Sequence, residues 1–158
     1  MDALVKLYDL PSTEEIMDYL SKDSIIIRHA MPYEKTTILD WVKNNFSQAW
    51  ADECAAAFNL QPVSCLIAVK DGDILGFACY ECTQKNFFGP MGISDQQRNK
   101  GIGRALATES LTIMRHMGYA YAIIGGCDEA AEYYKRIVNA DLIQESAPGV
   151  YADKIAQT

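Results

Sequence analysis

The sequence predicts a single α/β or α+β domain built around a central mixed sheet, and three observations carry that prediction. Segments of helical and strand periodicity alternate along the 158 residues in the order helix, strand, helices, three strands, helix, strand, helix, strand. Two apolar runs flank Asp71-Gly72, the preferred dipeptide of a tight hairpin. Gly101 and Gly103 stand at a strand-to-helix junction among Arg98, Lys100 and Arg104. A chain of this length buries roughly two thirds of its unfolded surface and needs no disulfide or metal to hold it.

Each element has a local reason. Residues 12–22 predict an N-terminal extension helix, with Ser12 at its cap and Glu14 and Glu15 near the positive end of its dipole. Residues 24–30, SIIIRHA, carry three consecutive β-branched isoleucines and predict a buried strand. Between 32 and 59 the apolar residues Ile38, Trp41, Val42, Phe46, Trp50, Cys54 and Phe58 recur at helical spacing, which predicts two helices broken near Asn44–Ser47. Residues 64–82 form a strand, a turn at Lys70–Asp73 and a second strand. A third strand over 85–93 contains Gly89-Pro90, which predicts a bulge or an irregular edge.

After Gly103, residues Leu106, Ala107, Leu111, Met114 and Met117 share one side of an amphipathic helix that Gly118 terminates. Residues 119–126 predict a buried strand, and 128–139 a helix opened by Asp128 and Glu129. The segments LIQE and GVYADKI are expected to supply final strands. No internal repeat or low-complexity linker divides the chain, so residues 1–158 are expected to form one domain.

Composition narrows the function. Apolar residues make up 49% and charged residues 22%, a folded rather than a disordered balance. The net charge of −7 argues against nucleic acid, whose binders carry many phosphate-neutralising cations on one face. No apolar run approaches the ~20 residues of a membrane span, so no membrane partner is expected. Five cysteines, an odd number, without a secretory signal point to reduced thiols and a cytoplasmic location. Cys79 and Cys82 have CxxC spacing. On a strand such a pair points to opposite faces, and no second CxxC or His pair accompanies it. Packing thiols and no metal are expected, and His29 and His116 are isolated.

Why an acidic chain gathers cations and glycines at 98–104 has a physical answer. The first N–H groups of a helix lack intrahelical partners and, with the dipole, attract anions. Glycine removes the Cβ that would block a ligand from reaching them. Arg98, Lys100 and Arg104 add positive charge, so a diphosphate is the fitting guest. The segment lacks the third glycine of the dinucleotide fingerprint, and no P-loop string occurs.

The run Ile93–Gly103 resembles the acetyl-CoA-binding signature of the GNAT N-acetyltransferase superfamily: Arg98, Gly101 and Gly103 fill its three fixed places, and Asp95 stands where proline is frequent. Ala130 and Tyr134, four residues apart, resemble the family's later helix. The resemblance covers residues 24 to about 142. It implies the GNAT fold, with a central, mostly antiparallel sheet flanked by helices on both faces. It implies acetyl-CoA as co-substrate, no metal, and direct transfer to a primary amine of a small molecule or peptide in a ternary complex.

The family's pattern also implies site residues. The diphosphate would lie on the N–H groups from Lys100 through Gly101, Ile102 and Gly103 to Arg104, flanked by Arg98 and Asn99. The backbone of Met91, Gly92 and Ile93 would pair with the pantetheine amides, and Tyr134 would protonate the departing thiolate. Tyr133, about 100° round the helix, is expected in the core, and Trp50 is a candidate for the acceptor pocket. The base is left open between Glu53, Glu81 and water, and a homodimer is left open as well. The alternative is a catalytically silent acyl-CoA-binding module of the same fold.

Overall fold

The computed structural model describes residues 1–156. Seven strands make one sheet: β1 (Asp2–Lys6), β2 (Ile26–His29), β3 (Cys65–Lys70), β4 (Asp73–Tyr80), β5 (Phe87–Ile93), β6 (Tyr121–Ile124) and β7 (Asp141–Ile143). Their order is β2-β3-β4-β5-β6-β1-β7. Every neighbouring pair is antiparallel except β5 and β6, which are parallel. The helices are α1 (Glu14–Ser21), α2 (Lys35–Asn45), α3 (Gln48–Ala56), α4 (Ile102–His116) and α5 (Ala131–Val138).

Side-chain alternation along β3 and β4 sorts the core into two layers. Leu66, Ala68, Ala78 and Tyr80 face one cluster together with Leu20 of α1, Leu106 and Leu111 of α4 and Ile137 of α5. Cys65, Ile67, Phe77 and Cys79 face the other, together with Ile38 and Val42 of α2 and Ala51 and Cys54 of α3. The helices thus cover both faces of the mixed, mostly antiparallel sheet. α4 is the central strut: Ile102, Leu106, Leu111 and Met114 are fully buried, each contributing roughly 1.5–3 kcal/mol of apolar transfer.

The turn chemistry acts as the residues require. Asp71 and Gly72 have φ of 51° and 85°, the paired positive angles of a two-residue hairpin. Ser47 ends the break between α2 and α3 by accepting the Trp50 N–H at 3.2 Å. Ser12 Oγ accepts the Glu14 N–H at 3.3 Å, and Gly118, at φ 105°, follows α4.

Four expectations are corrected. Residues 1–22 are more than an extension helix: Asp2–Lys6 is β1, inserted between β6 and β7. Only Ala3 and Val5 of its five residues point inward to full burial, too short an alternation to stand out beside Asp2 and Lys6. β2 is an edge strand rather than a buried one, with Ile26 60% exposed. LIQE shrinks to β7, Asp141–Ile143. GVYADKI is no strand: Gly149–Tyr151 is a 3₁₀ turn after Pro148, and Gly149 has φ 60°. Among the described residues no helix is long and apolar enough to cross a membrane.

Candidate functional site

Two cavities meet beside β5. One, of about 950 Å³, runs from the start of α4 along the end of β5 to Tyr133 and Tyr134. The other, of about 510 Å³, lies between α3, the start of β5 and the end of β6. Trp50, Met91, Ala130 and Tyr134 line both.

The sheet topology creates this junction. β5 pairs with β4 up to Ile93, but with β6 only at Phe87 and Phe88. Beyond Gly89 the two parallel strands part, and the β5 edge at Met91, Gly92 and Ile93 is left open to the larger cavity. Such an edge offers peptide groups to a ligand as an added strand would.

At the mouth of α4, Gly101 caps the helix with φ 86°, a left-handed angle that glycine adopts freely. Asn99 is also left-handed, at φ 63°. The N–H groups of Ile102, Gly103 and Arg104 stand in the first turn, without intrahelical partners and with no acidic side chain beside them. A Cβ at Gly103 would lie 2.5 Å from Tyr133 Oη and fill the approach. This cradle of bare amides suits an anion such as a diphosphate.

The cations divide. Arg98 and Arg104 line the larger cavity, with Arg98 held to Asp95 at 3.1 Å. The side chain of Lys100 turns elsewhere: its Nζ donates to Gln97 Oε1 at 2.8 Å, and it borders a separate cleft against Tyr19 and Leu20. Arg136, which the sequence reading did not single out, joins the cavity and stacks 5.5 Å over the Tyr133 ring. Tyr133 itself is a correction: it is partly buried and lines the same cavity. The two rings touch edge-on at 5.5 Å, and α5 lies along the cavity, so neighbouring positions of it both face the cavity.

Tyr134 is 8% exposed, and its ring meets Phe88 and Tyr133 edge-on at 6.1 and 5.5 Å. Burial first, then nearby Tyr133 and Cys127, pushes its phenol well above the ordinary value. It therefore stays protonated and able to donate across the neutral pH range.

The smaller cavity separates the two carboxylates considered as bases. Glu53, on α3, lines it and accepts a short hydrogen bond from Thr83 Oγ1. Tyr151 stands beside them, its phenol raised by burial and then by the Glu53 charge, and Lys154 lies 4.8 Å over its ring. Glu81 is outside both cavities. It accepts the Asn86 N–H at 2.6 Å and the Tyr119 hydroxyl at 2.9 Å, so it ties the turn after β4 to the start of β6. Trp50 lines both cavities, whereas Trp41 packs in the core against Phe46 and Phe77.

A family model described as the acetyltransferase (GNAT) family matches residues 35–137, well over half of the chain. The chain belongs to the GNAT acetyltransferase family. No curated protein matches this GNAT chain significantly. Among solved structures it resembles the GCN5-related glucosamine N-acetyltransferase region of a fungal multi-domain GH3 β-N-acetylglucosaminidase, with TM-score 0.68 and 15% identity over 87% of this chain and 19% of that one. It also resembles a GCN5-related N-acetyltransferase from Sphaerobacter thermophilus, with TM-score 0.64 and 18% identity over 90% of this chain and 47% of that one. The GNAT chain thus spans less than half of either structure's length, and at these identities the likeness is one of fold.

Proposed function

We propose that this chain is an acetyl-CoA-dependent N-acetyltransferase acting as one domain on a primary amine of a small molecule or peptide. The observation that carries the reading is the junction of two cavities at Met91 and Tyr134. One has the anion cradle and open strand edge that a nucleotide thioester needs, and the other has a carboxylate for an amine.

When bound, acetyl-CoA supplies the activated acetyl carbon. The N–H groups of Ile102 to Arg104 hold its diphosphate, with Arg98, Arg104 and Arg136 adding charge. The edge of β5 from Met91 to Ile93 fixes the arm, and an N–H there donates to the carbonyl oxygen as charge develops on it. The neutral amine attacks from the smaller cavity. Glu53, directly or through water, takes the proton that the amine must lose, because an ordinary alkyl amine is cationic at neutral pH. Tyr134 Oη gives its proton to the sulfur as the C–S bond breaks, and the proton that the acylated nitrogen sheds returns through water to the phenol. Trp50, which lines both cavities, gives the junction an apolar wall.

The test is release of free thiol from acetyl-CoA against polyamines, amino acids, aminoglycosides and peptides, with product mass confirming one added acetyl group. Binding heat with acetyl-CoA but no thiol release from any amine would instead identify a silent acyl-CoA-binding module.

A further inference from the structure

Away from both cavities, three cysteines from three elements converge between α3 and the sheet. Cys65 and Cys79 are directly opposed on β3 and β4, and Cys54 reaches down to them from α3. Each is 0% exposed. Cys54 Sγ lies 4.0 Å from Cys65 Sγ, and all three sulfurs are within 4.8 Å of one another. Burial alone does not require this, since Val or Ala would fill the same core positions without bringing sulfurs together.

We propose that Cys54, Cys65 and Cys79, completed by Cys82, form a closed structural site for a thiophilic d¹⁰ cation such as Zn²⁺. The spacing fits. Four sulfurs set tetrahedrally about an ion at the usual Zn–S length of about 2.3 Å stand about 3.8 Å apart, close to the 4.0 Å between Cys54 and Cys65. The other separations, within 4.8 Å, close by side-chain rotation. The donor set is sulfur alone, which selects soft or borderline ions over Mg²⁺ and Ca²⁺.

Cys82 supplies the fourth thiol because the chain leaves β4. Glu81 has φ 62°, which breaks the strand alternation that would have sent Cys82 to the opposite face. Cys82 instead packs against the same core cluster as the three thiols, its Sγ 3.9 Å from Ser64 Oγ and donating to Tyr80 O at 3.3 Å. It is only partly buried, and so marks the entry side. Each thiol that ligates releases its proton to solvent, four for the complete set. The bound ion would pin α3, which carries Trp50 and Glu53, to the sheet.

The test uses the reduced full-length chain, with Cd²⁺ as the optical probe. About one Cd²⁺ per chain is expected, with a thiolate-to-cadmium ultraviolet band and a raised melting temperature. Cys65→Ala, shown to be folded by circular dichroism, should lose the band. Cys82→Ala should bind at least about tenfold more weakly, as expected when one of four ligands is lost. Cys127→Ala should bind as the wild type does. No band in the wild-type protein overturns the proposal without recourse to any variant. So does a band that survives in Cys65→Ala or disappears in Cys127→Ala, which would place the ion on another thiol.

Discussion

Tyr134→Phe separates chemistry from binding. The substitution removes one hydroxyl and keeps the ring against Phe88 and Tyr133. Among the described residues that hydroxyl has no hydrogen-bond partner, so its removal leaves no orphaned group, and folding stability should stay within about 1 kcal/mol of wild type. If Oη protonates the departing sulfur, turnover falls about 10²- to 10⁴-fold, equivalent to roughly 2.7–5.5 kcal/mol of barrier. The dissociation constant for acetyl-CoA should be unchanged, because the cradle is at α4. The assay is thiol release at saturating acetyl-CoA and amine, with calorimetry for binding and thermal melting for stability. The pH dependence adds a check. Burial raises this phenol, so it remains protonated beyond the ordinary value of about 10, and no alkaline loss of turnover below that pH should trace to it. By the same sign, its contribution to stability is fully present below pH ~10 and is lost only above it. Turnover of Tyr134→Phe within about threefold of wild type would remove the acid role.

Four further outcomes follow from named contacts. Gly103→Val puts a branched side chain where even a Cβ stands 2.5 Å from Tyr133 Oη, so acetyl-CoA affinity measured by calorimetry on the folded variant should drop about tenfold or more. Glu53→Gln should lower turnover about 10²-fold or more at neutral pH and leave acetyl-CoA binding intact, as steady-state kinetics with each substrate varied will report. Leu106→Ala, at a fully buried position of α4, should cost about 2–5 kcal/mol in denaturant unfolding. Arg28 grips Glu34 through two hydrogen bonds of 3.0 and 2.6 Å and holds its carboxyl below the usual range. That stabilisation is present above the unfolded value of about 4.3 and is lost as pH falls through the lower folded value. Glu34→Gln should therefore remove about 0.5–1 kcal/mol at pH 7 and flatten the acid limb of the melting curve.

What the sequence revealed follows the range of the forces involved. The Asp71-Gly72 hairpin, the Ser47 break and the Gly101 cap are local backbone requirements, each satisfied by a particular residue type, and they were legible. β1 was not, because its strand character comes from pairing with β6 and β7 more than 110 residues away rather than from its own pattern. The glycine mouth of α4 was readable, being contiguous in sequence, and Tyr134, picked out by its spacing from Ala130, lines the same cavity. Tyr133, Arg136 and the placement of Lys100 needed the path of α5 and the side-chain direction at the α4 junction. The choice of Glu53 over Glu81 rests on which carboxylate faces a cavity, a property of the assembled sheet. Cys82 was expected on the face opposite Cys79 because strand alternation was carried through Glu81, where the backbone in fact turns left-handed and brings both to one cluster.

The most direct measurement is a crystal structure of the chain with acetyl-CoA. The diphosphate should lie 2.7–3.2 Å from the N–H groups of Ile102 to Arg104, ordinary hydrogen-bond distances, with the thioester between the Met91 edge and Tyr134 Oη. A ligand bound elsewhere, with the mouth of α4 closed by Tyr133, would contradict the account.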